Sequence, residues 1–175
     1  VMAQQYFVLG IGGTGMRCIE SLIHLCAMGM FDDTDIHLLA LDTDKDNGNF
    51  ARLKEVKEAY VKTKGTEASQ RTALKDTFFS ANIHYYEFSP NYETKSDFKS
   101  VFNYGDTKFN NPEQTAIADL VLTQNVETFN LRHGYRAQTH LGSMMMYHSI
   151  LEAARSNKNS QLKAYLQKLI QVAQN

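Results

Sequence analysis

Short apolar runs alternate with stretches of helical spacing through the first half of the chain. Tyr6-Phe7-Val8-Leu9 is wholly apolar and stops at Gly10, the pattern of a parallel-sheet strand buried on both faces. Ile19, Leu22, Ile23 and Cys26 then recur on one helical face, and Gly29 stands where a C-terminal cap belongs. After a return loop over Phe31–Asp35, Ile36–Leu41 forms a second buried strand that ends at Asp42. Residues 6–42 therefore predict a strand–helix–strand unit whose crossover is right-handed.

The remaining pattern is less regular. Asp42–Gly48 is polar and turn-like, and Asn49–Thr63 predicts a helix with Leu53, Val56 and Tyr60 on one side. Gly65–Ser80 predicts a short helix, and Ile83–Phe88 a third strand stopped by Pro90. Residues 91–112 have few apolar anchors and predict loops with short helical pieces. Pro112 opens a helix to about Thr123, which Val126–Leu131 can continue, before a polar loop over His133–His140. Leu141–Arg155 is a helix with Met144, Tyr147, Leu151 and Ala154 on its apolar stripe, and Ser156–Ser160 breaks it. A last amphipathic helix carries Leu162, Tyr165, Leu166, Leu169, Ile170 and Ala173. The expected fold class is α/β, a Rossmann-like three-layer arrangement with a mainly parallel sheet in one domain spanning 1–175. Because a sheet begun this way should gain further strands while the C-terminal region reads as helices, the sheet is expected to be incomplete.

Composition narrows the function classes. The chain has 175 residues, 43% hydrophobic and 21% charged, as a soluble globular domain does. Eighteen Lys plus Arg against 19 Asp plus Glu give a net charge of −1, so neither nucleic acid nor a membrane surface is an expected partner. Cys18 and Cys26 lie about two turns apart on one helix, too far for a disulfide between them. Both are read as reduced core residues, which with the lack of a signal peptide predicts a cytoplasmic protein.

The chemistry concentrates at Gly10-Ile11-Gly12-Gly13-Thr14-Gly15, a G-x-G-x-x-G between a strand and a helix. Glycines admit a tight turn and let backbone approach a phosphate, and the amides and positive end of the following helix attract the anion. Thr14 adds a hydroxyl. No G-x-x-x-x-G-K-[ST] is present, so no lysine is placed to neutralise phosphates, and amides or a metal ion must do so. A glycine-rich turn needed only for close helix–strand packing is the plainer reading of the same residues.

Val8–Gly15 together with Leu39-Ala40-Leu41-Asp42-Thr43-Asp44 resembles the tubulin/FtsZ GTPase superfamily, particularly its bacterial tubulin-like branch. The first segment resembles that superfamily's initial phosphate loop, and the second its Asn/Asp-Thr-Asp loop, which helps position phosphates and metal. More loosely, Gly134-Tyr135-Arg136-Ala137-Gln138-Thr139-His140-Leu141-Gly142 looks like its γ-phosphate loop. The resemblance implies GTP or GDP with Mg as ligand, held by Gly10–Gly15, by Asp42, Thr43 and Asp44, and by Gly134, Arg136, Thr139 and Gly142. It also implies a homo-polymer or homo-oligomer. The superfamily's second glycine-rich loop and its acidic hydrolytic loop do not occur here, so the chain is expected to be an N-terminal portion that binds nucleotide without hydrolysing it.

Two enzyme readings and one non-enzymatic reading compete. A ubiquitin-activating-type adenylating enzyme uses a similar glycine loop, then Asp-x-Asp and Asn-x-x-Arg, which Asp42-Thr43-Asp44 and Asn49-Phe50-Ala51-Arg52 imitate. An NAD-binding Rossmann domain would use an acid such as Asp42 on the ribose. An assembly module that kept the fold and lost nucleotide is the third. Elsewhere, Arg136 is as readily a solvated arginine as a phosphate ligand, Thr139 reads as an N-cap, and Asp32, Asp33 and Asp35 read as a solvated turn.

Overall fold

The computed structural model describes residues 4–68, 78–90, 112, 116, 130, 139–155 and 160–174. Three strands, β1 (Gln5–Ile11), β2 (Asp35–Leu41) and β3 (Asn82–Phe88), form a parallel sheet in the order β1-β2-β3. Their register is unbroken, with Gln5, Asp35 and Asn82 abreast at one end and Ile11, Leu41 and Phe88 at the other. The fold is α/β and Rossmann-like.

Alternation along the strands sorts the core into two layers. On one face Ile36, Leu38 and Ala40 of β2 pack against α1 (Gly12–Ala27) and α2 (Asn49–Ala68) through Met16, Ile19, Ile23, Cys26, Phe50, Leu53 and Tyr60. On the other, Leu39 and Leu41 meet Leu162 and Tyr165 of α4 (Gln161–Ala173), with Met146, Ile150 and Ala153 of α3 (Thr139–Arg155) beside them. Helix α1 ends as its sequence predicts. Gly29 has φ +84, its N–H bonds to Cys26 O at 3.1 Å, and Met30 N–H bonds to Leu25 O at 3.2 Å, a Schellman closure.

Several expectations are corrected. Strand β2, not β1, is buried from Ile36 to Leu41; Tyr6, Leu9 and Ile11 of β1 are 39%, 51% and 58% exposed. Among the described residues β1 pairs only with β2, so its apolar run borders a sheet edge. Cys18 is exposed and only Cys26 is buried, because Cys18 precedes the buried Ile19 on a face that turns away from the sheet. Desolvation pushes the Cys26 thiol up to about 11.

Helix α3 buries Leu141, Met145 and Ser149, while Met144 and Tyr147 are exposed. Apolar residues surround so much of this helix that spacing alone does not select the face that packs. Helix α3 also begins at Thr139, which is therefore helical and not its cap. On α4 only Leu162 and Tyr165 are buried, leaving Leu166, Leu169 and Ile170 substantially exposed. Helix α2 runs through Gly65 to Ala68, longer than expected. The expectations for residues 91–111 and for the helix over Pro112–Leu131 lie almost wholly outside the described residues.

Candidate functional site

Parallel strands in register finish together, so the residues after them meet at one end. Here those residues are Gly12, Asp42 and Ser89, with Asp42 N–H still bonded to Phe88 O at 3.3 Å. Loops at the carboxyl ends of such strands are where open α/β sheets place ligands.

The glycines divide the work. A Cβ on Gly15 would lie 2.7 Å from Gly10 C and 2.9 Å from its Cα, and one on Gly10 would lie 2.8 Å from Gly15 O. These two residues hold α1 against β1, backbone to backbone, and leave no room for a side chain. Gly12 is different. Its φ is +67, and a Cβ there would meet nothing within 4 Å among the described residues. Packing therefore accounts for Gly10 and Gly15 but not for Gly12.

The α1 N-terminus carries no side-chain cap and no acid in its first turn. The amides of Gly12, Gly13 and Thr14 precede the first intrahelical bond, and no acceptor for them stands among the described residues. These donors and the positive helix end lie at half-buried glycines, with Ile11 and Thr14 exposed beside them.

The second loop is built from its own side chains. Asp42 Oδ1 accepts from Asp44 N–H at 3.1 Å, and its Oδ2 from Asn47 Nδ2 at 3.4 Å. Asp44 Oδ1 accepts from the N–H groups of Asp46 and Asn47 at 3.0 and 3.1 Å. Asp42 is only 8% exposed and Thr43 3%. These bonds make Asp42 and Asp44 the frame of the loop and turn Asn49 toward the glycines. Asn49 Nδ2 sits 2.8 Å from where a Cβ on Gly13 would be.

Two buried hydroxyls at this end, Thr43 Oγ1 and Ser89 Oγ, have no hydrogen-bond partner among the described residues. Orphaned buried hydroxyls are uncommon, and these follow two adjacent strands. Thr43 was legible in the Asp-Thr-Asp triplet. Nothing in the sequence marks Ser89, since serine before proline is an ordinary strand stop, and Asn49 entered only through the Asn-x-x-Arg pattern.

Arg52, the arginine of that pattern, is already engaged. Its Nε and Nη2 grip both oxygens of Glu20 at 2.7–3.1 Å, joining α2 to α1. The hydrogen bond from Arg52 holds the Glu20 carboxyl below its usual range, and Glu20 in turn raises the guanidinium. Of the looser γ-phosphate segment, Gly134 and Arg136 lie outside the described residues. Thr139 and Gly142 are in the first turn of α3, Thr139 exposed and Gly142 half-buried. Among the described residues no hydrogen bond joins them to Gly10–Gly15 or Asp42–Asp44. No group of three His, Cys, Asp or Glu able to hold a metal occurs among the described residues. No helix among them is long and apolar enough to cross a membrane.

The amino end of the same sheet is closed. His37, 1% exposed, is stacked between Phe7 and His84 with centroids 4.5 Å away on each side. Its Nε2 meets Gln5 Oε1 at 2.8 Å, Gln5 Nε2 donates to Asp35 Oδ2 at 2.7 Å, and His84 Nε2 meets Asp35 Oδ1 at 3.3 Å. Desolvation, aided by the positive charges of His84 and Lys168, lowers His37 to about 4. It is neutral at pH 7.

Comparison of the chain with protein-family models, with curated proteins and with solved structures returns no match.

Proposed function

We propose that the carboxyl end of the sheet binds the phosphates of a nucleotide, and that the chain is the GTP-binding region of a tubulin/FtsZ-like protein. The observation that carries the first step is the split between the glycines. Gly10 and Gly15 are explained by contact, whereas Gly12 holds a left-handed turn that no described residue packs against, beside amides uncommitted among the described residues. That is what a backbone anion seat requires. The second step rests on the Asp42-Thr43-Asp44 loop lying beside the glycine loop, as the resemblance requires.

Mg fits as a passenger of the ligand. Asp44 Oδ2 and Thr43 Oγ1 are not used by the loop's own bonds, and Mg commonly takes one or two carboxylates plus phosphate oxygens and waters. Such an ion would be held mainly by the nucleotide. It would also offset the negative charge that Asp42 and Asp44 bring near the phosphates. Self-association into a polymer or oligomer and dependence of hydrolysis on further chain belong to this same reading.

The rival readings lose support at named residues. Arg52 is held by Glu20, which draws it away from the role an adenylating enzyme would give it. Both oxygens of Asp42 accept bonds from the loop, which leaves them poorly placed to grip the ribose hydroxyls of NAD. Calorimetric titration with GTP, ATP and NAD tests the proposal. A guanine preference at Mg concentrations of the usual assay is the expected result, and tight NAD binding with no response to GTP would overturn it. For the module without nucleotide, Gly12→Asp should leave partner binding intact, whereas it should abolish nucleotide-dependent assembly.

A further inference from the structure

The Asn49 side chain occupies an unusual place. It is the first residue of α2, yet its carboxamide lies over the first turn of α1, with Nδ2 2.8 Å and Cγ 3.7 Å from the Cβ that Gly13 lacks. The backbone of Asn49 is fixed by a bond from its N–H to Asn47 Oδ1 at 3.0 Å, and Asn47 is tied in turn to Asp42 and Asp44. Three polar side chains, Asn47, Asp42 and Asp44, thus hold the start of α2 in position. The Asn49 carboxamide itself makes no hydrogen bond among the described residues. The same loop holds the buried Thr43 Oγ1, a second polar group with no partner among the described residues.

We propose that Asn49 is a ligand-contacting residue, its Nδ2 donating to the anionic group held by the amides of Gly12, Gly13 and Thr14. This rests on the phosphate-binding reading of the same site. A neutral donor is the side chain such a place calls for. It adds a hydrogen bond without the desolvation cost of a buried cation, and it spans two elements, so it sets the distance between the loops. Gly13 is glycine because Asn49 fills the volume its side chain would take. Among the described residues no hydrogen bond uses the Asn49 amide; a bound anion would.

Two substitutions test this, with inorganic pyrophosphate and GTP as probes, each titrated calorimetrically at fixed salt and followed by thermal unfolding. Asn49→Ala removes the donor, and affinity for both probes should fall about tenfold, the usual cost of a hydrogen bond to a charged group. Asn49→Asp sets a carboxylate over the positive end of α1. It should weaken both probes further, while the melting temperature stays at or above that of the parent because a helix N-terminus favours negative charge. A purely structural Asn49 would instead lower melting temperature and affinity together in Asn49→Ala. Parent and both variants binding alike would overturn the role of Asn49 and leave the site standing. A parent that binds neither probe would overturn the site and this role with it.

Discussion

The two ends of one three-stranded sheet solve opposite problems. At the amino end, Gln5 and Asp35 lie in one row and His37 and His84 in the row two residues on, and they use one another as partners, with His37 in a stack of rings. At the carboxyl end, the amides of Gly12–Thr14, the Asn49 carboxamide and the hydroxyls of Thr43 and Ser89 make no hydrogen bond among the described residues. The same parallel register creates both ends. The difference is that side chains at one end pair across the strands, although His37 Nδ1 stays unbonded among the described residues, while at the other end the Asp42–Asn49 loop bonds to itself and leaves the first amides of α1 uncommitted.

That contrast is most severely broken at the Gly10–Gly15 contact. Gly15→Ala forces a methyl into the Gly10 backbone, which has no flexible side chain to yield, and should cost about 3 kcal/mol by urea denaturation. Gly12→Ala meets no atom of the described residues but must hold a positive φ, so it should cost only about 1–2 kcal/mol and lose nucleotide affinity out of proportion to that. Equal destabilisation by the two substitutions would erase the distinction between a packing glycine and a binding one.

The closed end should reveal itself through pH. His37 is lowered from 6.5 to about 4 by burial and by the positive charges of His84 and Lys168, against a smaller opposing pull from Asp35. Between those values the unfolded chain binds the proton that the folded chain refuses. The stability is therefore complete above pH 6.5 and is lost as pH falls toward 4, by at most about 3 kcal/mol. Urea midpoints from pH 7.5 to 4.5 measure this, and His37→Phe should flatten the part of the slope that belongs to His37.

The smallest effect is expected at Arg52. Arg52→Ala breaks an exposed bidentate pair with Glu20, so melting should change little. GTP affinity should stay within about twofold, a difference of about 0.4 kcal/mol. A large loss of ATP affinity instead would revive the adenylating alternative.

The strand–helix–strand core was legible because β2 is apolar on both faces and the α1 stripe keeps strict spacing, which leaves one way to bury them. The position of β1 was not. An apolar run looks the same whether the strand is central or at an edge, and only its neighbours decide. On α3 the surplus of apolar residues hid the buried row Leu141–Met145–Ser149 for the same reason. The glycine loop could be found in the chain, but not the separate duties of Gly10, Gly12 and Gly15, which come from a contact across the turn. Asn49 over Gly13 and Ser89 beside Asp42 join residues distant in sequence, and no local pattern announces them. The loop around Asp42 and Asp44 was expected to face a ligand; its carboxylates first build the turn that aims Asn49.

Backbone amide resonances test the central claim most directly. On adding GTP with Mg to the isotopically labelled chain, the N–H signals of Gly12, Gly13 and Thr14 and the side-chain amide of Asn49 should move together and saturably, while those of Gln5, His37 and His84 stay in place. Saturating GTP that leaves those four signals unmoved would contradict the account.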